Sequence, residues 1–219
     1  MRILKCAAWV FFVLLGCKSA YARGELAELP TKAATPAGDS MGTSEPAVGL
    51  FERGRYEFNF SNGVLFSPFL ATGHRPTINY TMTEVQFGYM LTEVRGTGWL
   101  RGNVELAGEG FASRIFDGDG SFIAGGTLWG RYNFVQPACR FVPYGQVGLG
   151  MVSTDISHRI VGQPFNFNIE VGLGTRYLLN EHWAVGLELR YQHISNADSG
   201  RHNLGINALG PILGVSYLF

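Results

Sequence analysis

Apolar and polar side chains alternate with a period of two along most of this chain. The longest example places Phe165, Phe167, Ile169, Val171, Leu173, Tyr177 and Leu179 in one phase, and Asn166, Asn168, Glu170, Gly172, Gly174 and Arg176 in the other. Successive side chains of an extended strand point to opposite faces, so the two sets separate onto two surfaces. Seven further segments repeat the pattern: Tyr56 to Phe60, Val85 to Tyr89, Leu100 to Leu106, Phe122 to Phe134, Phe141 to Met151, Val185 to Tyr191 and Leu209 to Phe219. From about Gly54 onward there is no helical period and no apolar run long enough for a membrane-spanning helix.

The contents of the two phases decide which face is buried. The polar phase mixes Glu and Arg with Gly, and the apolar phase ends in Tyr and Phe. Each segment runs to roughly ten to fifteen residues, against about five to six for soluble strands. These features predict an all-β fold: an eight-stranded antiparallel up-and-down β-barrel crossing a bacterial outer membrane, apolar outside and polar within. Closure gives every backbone N–H and C=O a partner in hydrocarbon. A barrel of this size is filled by its own side chains and leaves no wide pore. The connections near Arg95, Pro137 and Asn180 read as short and the others as mostly longer, which assigns them to the periplasmic and outer ends respectively. The terminal Tyr217-Leu218-Phe219 resembles the assembly signal of such barrels.

Residues 1–22 read as a signal peptide: basic Arg2 and Lys5, an apolar stretch from Ala7 to Gly16, and Ala20-Tyr21-Ala22 as a small-x-small cleavage site. Leu14-Leu15-Gly16-Cys17 also resembles a lipoprotein box, so both processing routes stay open. Residues 23–50, rich in Ala, Pro, Thr, Gly and Ser, form a flexible lead-in, and 51–219 form the barrel domain. Seventeen basic and seventeen acidic residues cancel, which removes the electrostatic case for nucleic-acid binding. Only 16% of residues are charged and 13% are aromatic, a balance that excludes a largely disordered chain. Asp117-Gly118-Asp119-Gly120 lacks the spaced ligands of a calcium loop, and His74, His158, His182 and His202 lack ligand spacing. No metal and no cofactor is expected.

An outward-facing position should be apolar, because hydrocarbon offers a polar group no partner. The outward phase of the seventh segment runs Leu187, Leu189, Tyr191 and then His193 and Ser195. Strands becoming polar at their rims would explain this alone. If the following turn centres near Gly200, however, positions summing to about 400 face each other, and His193 lies opposite Asn207. Directly opposed residues have Cβ atoms about 4.5–5.5 Å apart. Hydroxyl, imidazole and amide then form one outward row, the order needed for a nucleophile, its base and a group orienting the base.

Arg190 to Ala197, with Asn203-Leu204-Gly205-Ile206-Asn207, resembles the C-terminal signature of the lipid A 3-O-deacylase family. The resemblance implies an eight-stranded outer-membrane ester hydrolase that removes the 3-O-linked acyl chain of lipid A in lipopolysaccharide. It makes His193 the base and Ser195 the nucleophile, with Asn196 helping to stabilise the oxyanion. Asn207 stands where the family typically has a glutamate, so weaker activation of Ser195 is expected, or a substitute carboxylate, for which Asp198 is the nearest candidate. The expected partners are lipid A and outer-membrane lipid, with a homodimer left open and the site facing the outer leaflet. The alternative is a catalytically weak or inactive structural barrel of the adhesion or anchoring type.

Overall fold

The computed structural model describes residues 48–67, 76–200 and 202–219; the signal-peptide reading of 1–22 and most of the lead-in 23–50 lie outside the described residues. The alternating segments become β1 (Tyr56–Leu65), β2 (Asn79–Met90), β3 (Gly102–Asp117), β4 (Phe122–Phe134), β5 (Phe141–Thr154), β6 (Phe165–Leu178), β7 (Trp183–Ser195) and β8 (Ile206–Leu218). Each pairs antiparallel with the next and β1 pairs with β8, closing an outer-membrane-type barrel. A short helix, α1 (His158–Val161), lies in the β5–β6 connection.

Period-two alternation sorts the side chains as expected. Phe58, Phe87, Leu128, Leu149, Ile169, Leu173, Leu189 and Leu213 stand exposed on the outer wall. Tyr56 stacks on Phe219 at 5.7 Å and lies 5.2 Å from Tyr89, so aromatics collect on the outer wall at the end holding both β1's start and the C-terminus.

The lumen is filled by an ionic core. Nη1 of Arg190 lies 3.1 Å from Glu84, 3.3 Å from Glu109 and 3.1 Å from Glu170, while Nε contacts Glu188. Nearer the chain ends, Arg131 and Arg176 share Glu57 and Glu105 at 2.5–3.4 Å. Trp129 stacks beneath the Arg190 guanidinium, 4.5 Å from its ring centroid. Glycines make this filling possible: a side chain at Gly148 would strike Trp129, and one at Gly174 would strike Tyr144. The residual cavity between the ionic layers is about 10 Å³, room for roughly one water.

Both mouths are stoppered by apolar side chains. At one end Leu65, Ile78, Met82, Ile123, Val152, Ile156, Val161, Ile194 and Ile206 pack together. At the other, Leu50 and Phe51 from a 3-10 turn (Gly49–Phe51) join Met90, Val135, Val142 and Leu178. Packed structure therefore begins before residue 51, the boundary set from composition.

Two readings of the chain need correction. Leu100 is not in the third strand; it closes a 3-10 turn (Gly98–Leu100), because Gly96 and Gly98 at φ +92° and +61° turn the chain before β3 starts at Gly102. Connection length also fails to separate the two ends. Residues 91–101, expected to be short, form a long excursion closed by an Arg95–Gly102 bridge. Residues 118–121 make a tight turn instead, with Gly118 and Gly120 at φ +113° and +88°. That turn is tied to the β5–β6 connection by Asp155. Its carboxylate accepts from the Ser121 hydroxyl (2.5 Å), the Ser121 N–H (2.8 Å) and the Phe122 N–H (3.1 Å), and these bonds hold its pKa down at about 2.

Candidate active site

The last turn of alternation on β7 carries the site. Leu187 and Leu189 are exposed on the outer wall, and Tyr191, His193 and Ser195 continue the same phase half-buried. On one side His193 opposes Asn207 of β8. On the other, Ile169 and Phe167 of β6 oppose His193 and Ser195, and both are exposed. The polar row is thus set into an apolar wall, at the end of the barrel bearing α1.

Asn207 is the hub of the row. Its Oδ1 lies 2.7 Å from Nδ1 of His193 and accepts from the Tyr191 hydroxyl at 2.8 Å. A proton on Nδ1 shared with that oxygen leaves Nε2 as the imidazole's lone-pair face, the form a general base needs. The Ser195 hydroxyl makes no hydrogen bond to the ring here; such bonds commonly tighten only when substrate is bound. Gly205, at φ +67°, brings the two together: a Cβ there would lie 3.2 Å from His193 Cε1 and 3.7 Å from Ser195 Cβ. Imidazole and hydroxymethyl therefore border one small space that a larger residue at 205 would fill.

The other expected site residues lie elsewhere. Asn196 does not present its amide to the row. As the next residue after Ser195 it falls in the inward phase, is fully buried, and donates through Nδ2 to the carbonyls of Val161 (3.0 Å) and His202 (2.8 Å). Both hydrogens of the amide that was expected to help stabilise the oxyanion are therefore spent on backbone carbonyls. Asp198 sits exposed in the turn and accepts from Nδ2 of Asn203 at 2.7 Å, so it supplies no carboxylate to His193. Glu188 belongs to the lumen network around Arg190. Tyr191 was missed as a site residue. Its outward phase suggested only a girdle aromatic, although two residues before His193 it lies diagonal to Asn207. Among the described residues no group of three or more His, Cys, Asp or Glu could hold a metal ion.

The model of the PagL lipid A 3-O-deacylase family matches residues 82–216, well over half of the chain and the whole of the row. The chain belongs to the lipid A 3-O-deacylase family. No curated protein sequence matches it. The solved outer-membrane enzyme PagL is similar to it in fold, with 15% identity and a TM-score of 0.53 over 71% of this chain and 97% of that one. Neisserial surface protein A (14% identity, TM-score 0.49, covering 74% and 96%) and OprG from Pseudomonas aeruginosa (15%, 0.48, 77% and 97%) are also similar barrels. The hub of the row is neutral: the amide oxygen of Asn207 is bonded to both the imidazole and a tyrosine.

Proposed function

We propose that this barrel is an esterase that removes the 3-O-linked acyl chain of lipid A, with the α1-bearing end outermost so that the row meets the outer leaflet. The observation that carries the reading is the His193–Asn207 bond beside Ser195, in the outward phase alongside the exposed Phe167 and Ile169. Buried imidazole and hydroxyl groups are ordinary in proteins. A bonded His–Asn pair beside a hydroxyl in one outward phase is instead the arrangement that a nucleophile and its base need.

In the mechanism, His193 Nε2 takes the Ser195 proton as the oxygen attacks the ester carbonyl. The tetrahedral intermediate expels the sugar 3-oxygen, which receives that proton from the imidazolium. Water, deprotonated by the same nitrogen, then releases the hydroxy fatty acid from Ser195. The leaflet holds substrate and site at one depth, which removes much of the entropy of encounter.

The amide at 207 limits this machinery in a specific way. A carboxylate only accepts, so it forces a proton onto Nδ1 and stabilises imidazolium. An amide can also donate, and in the opposite orientation it would favour the tautomer with its proton on Nε2, which cannot act as a base. Asn207→Glu should therefore raise kcat by at least about tenfold, because it removes the unproductive tautomer and adds the missing charge. Tyr191→Phe should lower kcat by about fivefold, the effect of one neutral hydrogen bond of about 1 kcal/mol, with KM unchanged. Both follow from the rate of 3-hydroxy fatty acid release by the purified barrel in mixed micelles with lipid A. The esterase reading predicts one hydroxy acid released per lipid A. No release by either the wild type or Asn207→Glu would favour a structural barrel instead.

A further inference from the structure

We infer that Asn196 and the backbone of residues 160–162 form a clamp that positions Ser195, a role that rests on the esterase reading above. The clamp joins two connections far apart in sequence. α1 drops Val161 into the apolar stopper, together with Ile156, against Ile194 and Ile206, the inward neighbours of His193, Ser195 and Asn207. From there the Ile160 carbonyl accepts from the Leu204 N–H at 2.9 Å, and the Val161 carbonyl accepts from Asn196 Nδ2 at 3.0 Å. The second hydrogen on that amide goes to the His202 carbonyl at 2.8 Å. Gln163 adds a bond to the Ser199 hydroxyl at 3.2 Å.

Three features show that this contact is built rather than incidental. Gly162, at φ +77°, crosses so close to the Asn196 amide and the His202 carbonyl that a Cβ would collide with both. Ala197 and Asp198, at φ +51° and +59°, are the central pair of a tight turn closed by the Ser199 N–H on the Asn196 carbonyl at 3.0 Å, so the turn starts from the residue the clamp holds. Asn196 Oδ1 is buried with no partner, so the amide is retained for its two N–H bonds despite an unsatisfied acceptor. Ser195 precedes Asn196 directly, and Gly205 follows Leu204 directly. Pinning Asn196, His202 and Leu204 therefore fixes both walls of the space that His193 and Ser195 share. With both amide hydrogens on backbone carbonyls, Asn196 acts through Ser195 and is a positioning residue.

The test is a double-mutant cycle on Gly162→Ala and Asn196→Ala, in purified barrels whose heat-modifiable migration shows that they are folded. Each single variant should lower kcat by about 10–100-fold, as expected for a nucleophile displaced by about 1 Å, with KM for lipid A within about twofold. The double variant should be no worse than the worse single, because both break one clamp. Amides of residues 197–200 and 202–204 should exchange faster in Gly162→Ala than in the wild type. Wild-type kcat in Gly162→Ala, or losses that multiply in the double variant, would overturn the clamp; multiplication would mean that Asn196 acts on the oxyanion directly. A wild type without hydrolase activity would instead refute the esterase reading, and unchanged amide exchange in Gly162→Ala would then refute the clamp separately.

Discussion

Replacing Ser195 by alanine should reduce lipid A deacylation by on the order of 10⁴-fold or more while leaving the barrel folded. On the esterase reading the size follows from removing the atom that forms the acyl-enzyme, after which water must attack directly an ester held by the membrane. His193→Ala should cost about as much. The double variant should lose little more than either single one, since nucleophile and base act as one unit. Folding should be spared for a concrete reason. Among the described residues the Ser195 side chain makes no hydrogen bond that the fold uses, and His193 bonds Asn207, which retains Tyr191 as a partner. At these half-buried positions each substitution should cost no more than about 1 kcal/mol. Urea midpoints close to that of the wild type, beside lost activity, would therefore separate chemistry from stability.

The largest effect on stability should come from Arg190→Met. One fully buried guanidinium faces Glu84, Glu109, Glu170 and Glu188, and it is the cation that sits among all four. Removing one partner of a buried ion pair costs about 3–5 kcal/mol because the remaining charge cannot be solvated. Here four carboxylates lose their common counter-charge, so the effect should reach at least the top of that range. The measurement is the urea midpoint of the heat-modifiable form, which should fall steeply or vanish. Adding Glu84→Gln and Glu109→Gln to Arg190→Met should recover part of the loss, which distinguishes a charge effect from a packing effect. Arg95, whose pair with Glu93 is 3.3 Å long but lies in solvent, should be replaceable without a measurable change.

The fold was legible because one physical rule acted on every strand. A chain between lipid and a polar lumen must alternate, and residues such as Phe167, Ile169 and Val171 against Asn168 and Glu170 record that rule directly. The same alternation, with a turn centred near Gly200, placed His193 opposite Asn207. It also places Asn196 inward, one step after Ser195, which is where the amide lies buried. Connection lengths around residues 91–101 and 118–121 differ from expectation because alternation does not mark where pairing stops: Leu100 keeps the phase of β3 yet lies in a 3-10 turn, and β3 runs on to Asp117. The support from α1 was invisible for a deeper reason. Val161 and Asn196 meet only after two connections fold over the same mouth, and no local pattern encodes a contact of that range.

The most direct test is the mass spectrum of lipid A from Gram-negative cells expressing either the wild-type chain or Ser195→Ala, both inserted and heat-modifiable. An outward-facing imidazole and hydroxyl at ester depth predict that wild-type lipid A loses the mass of one 3-hydroxyacyl chain and that the variant's does not. Identical spectra from the two strains, whether both intact or both shortened, would contradict it.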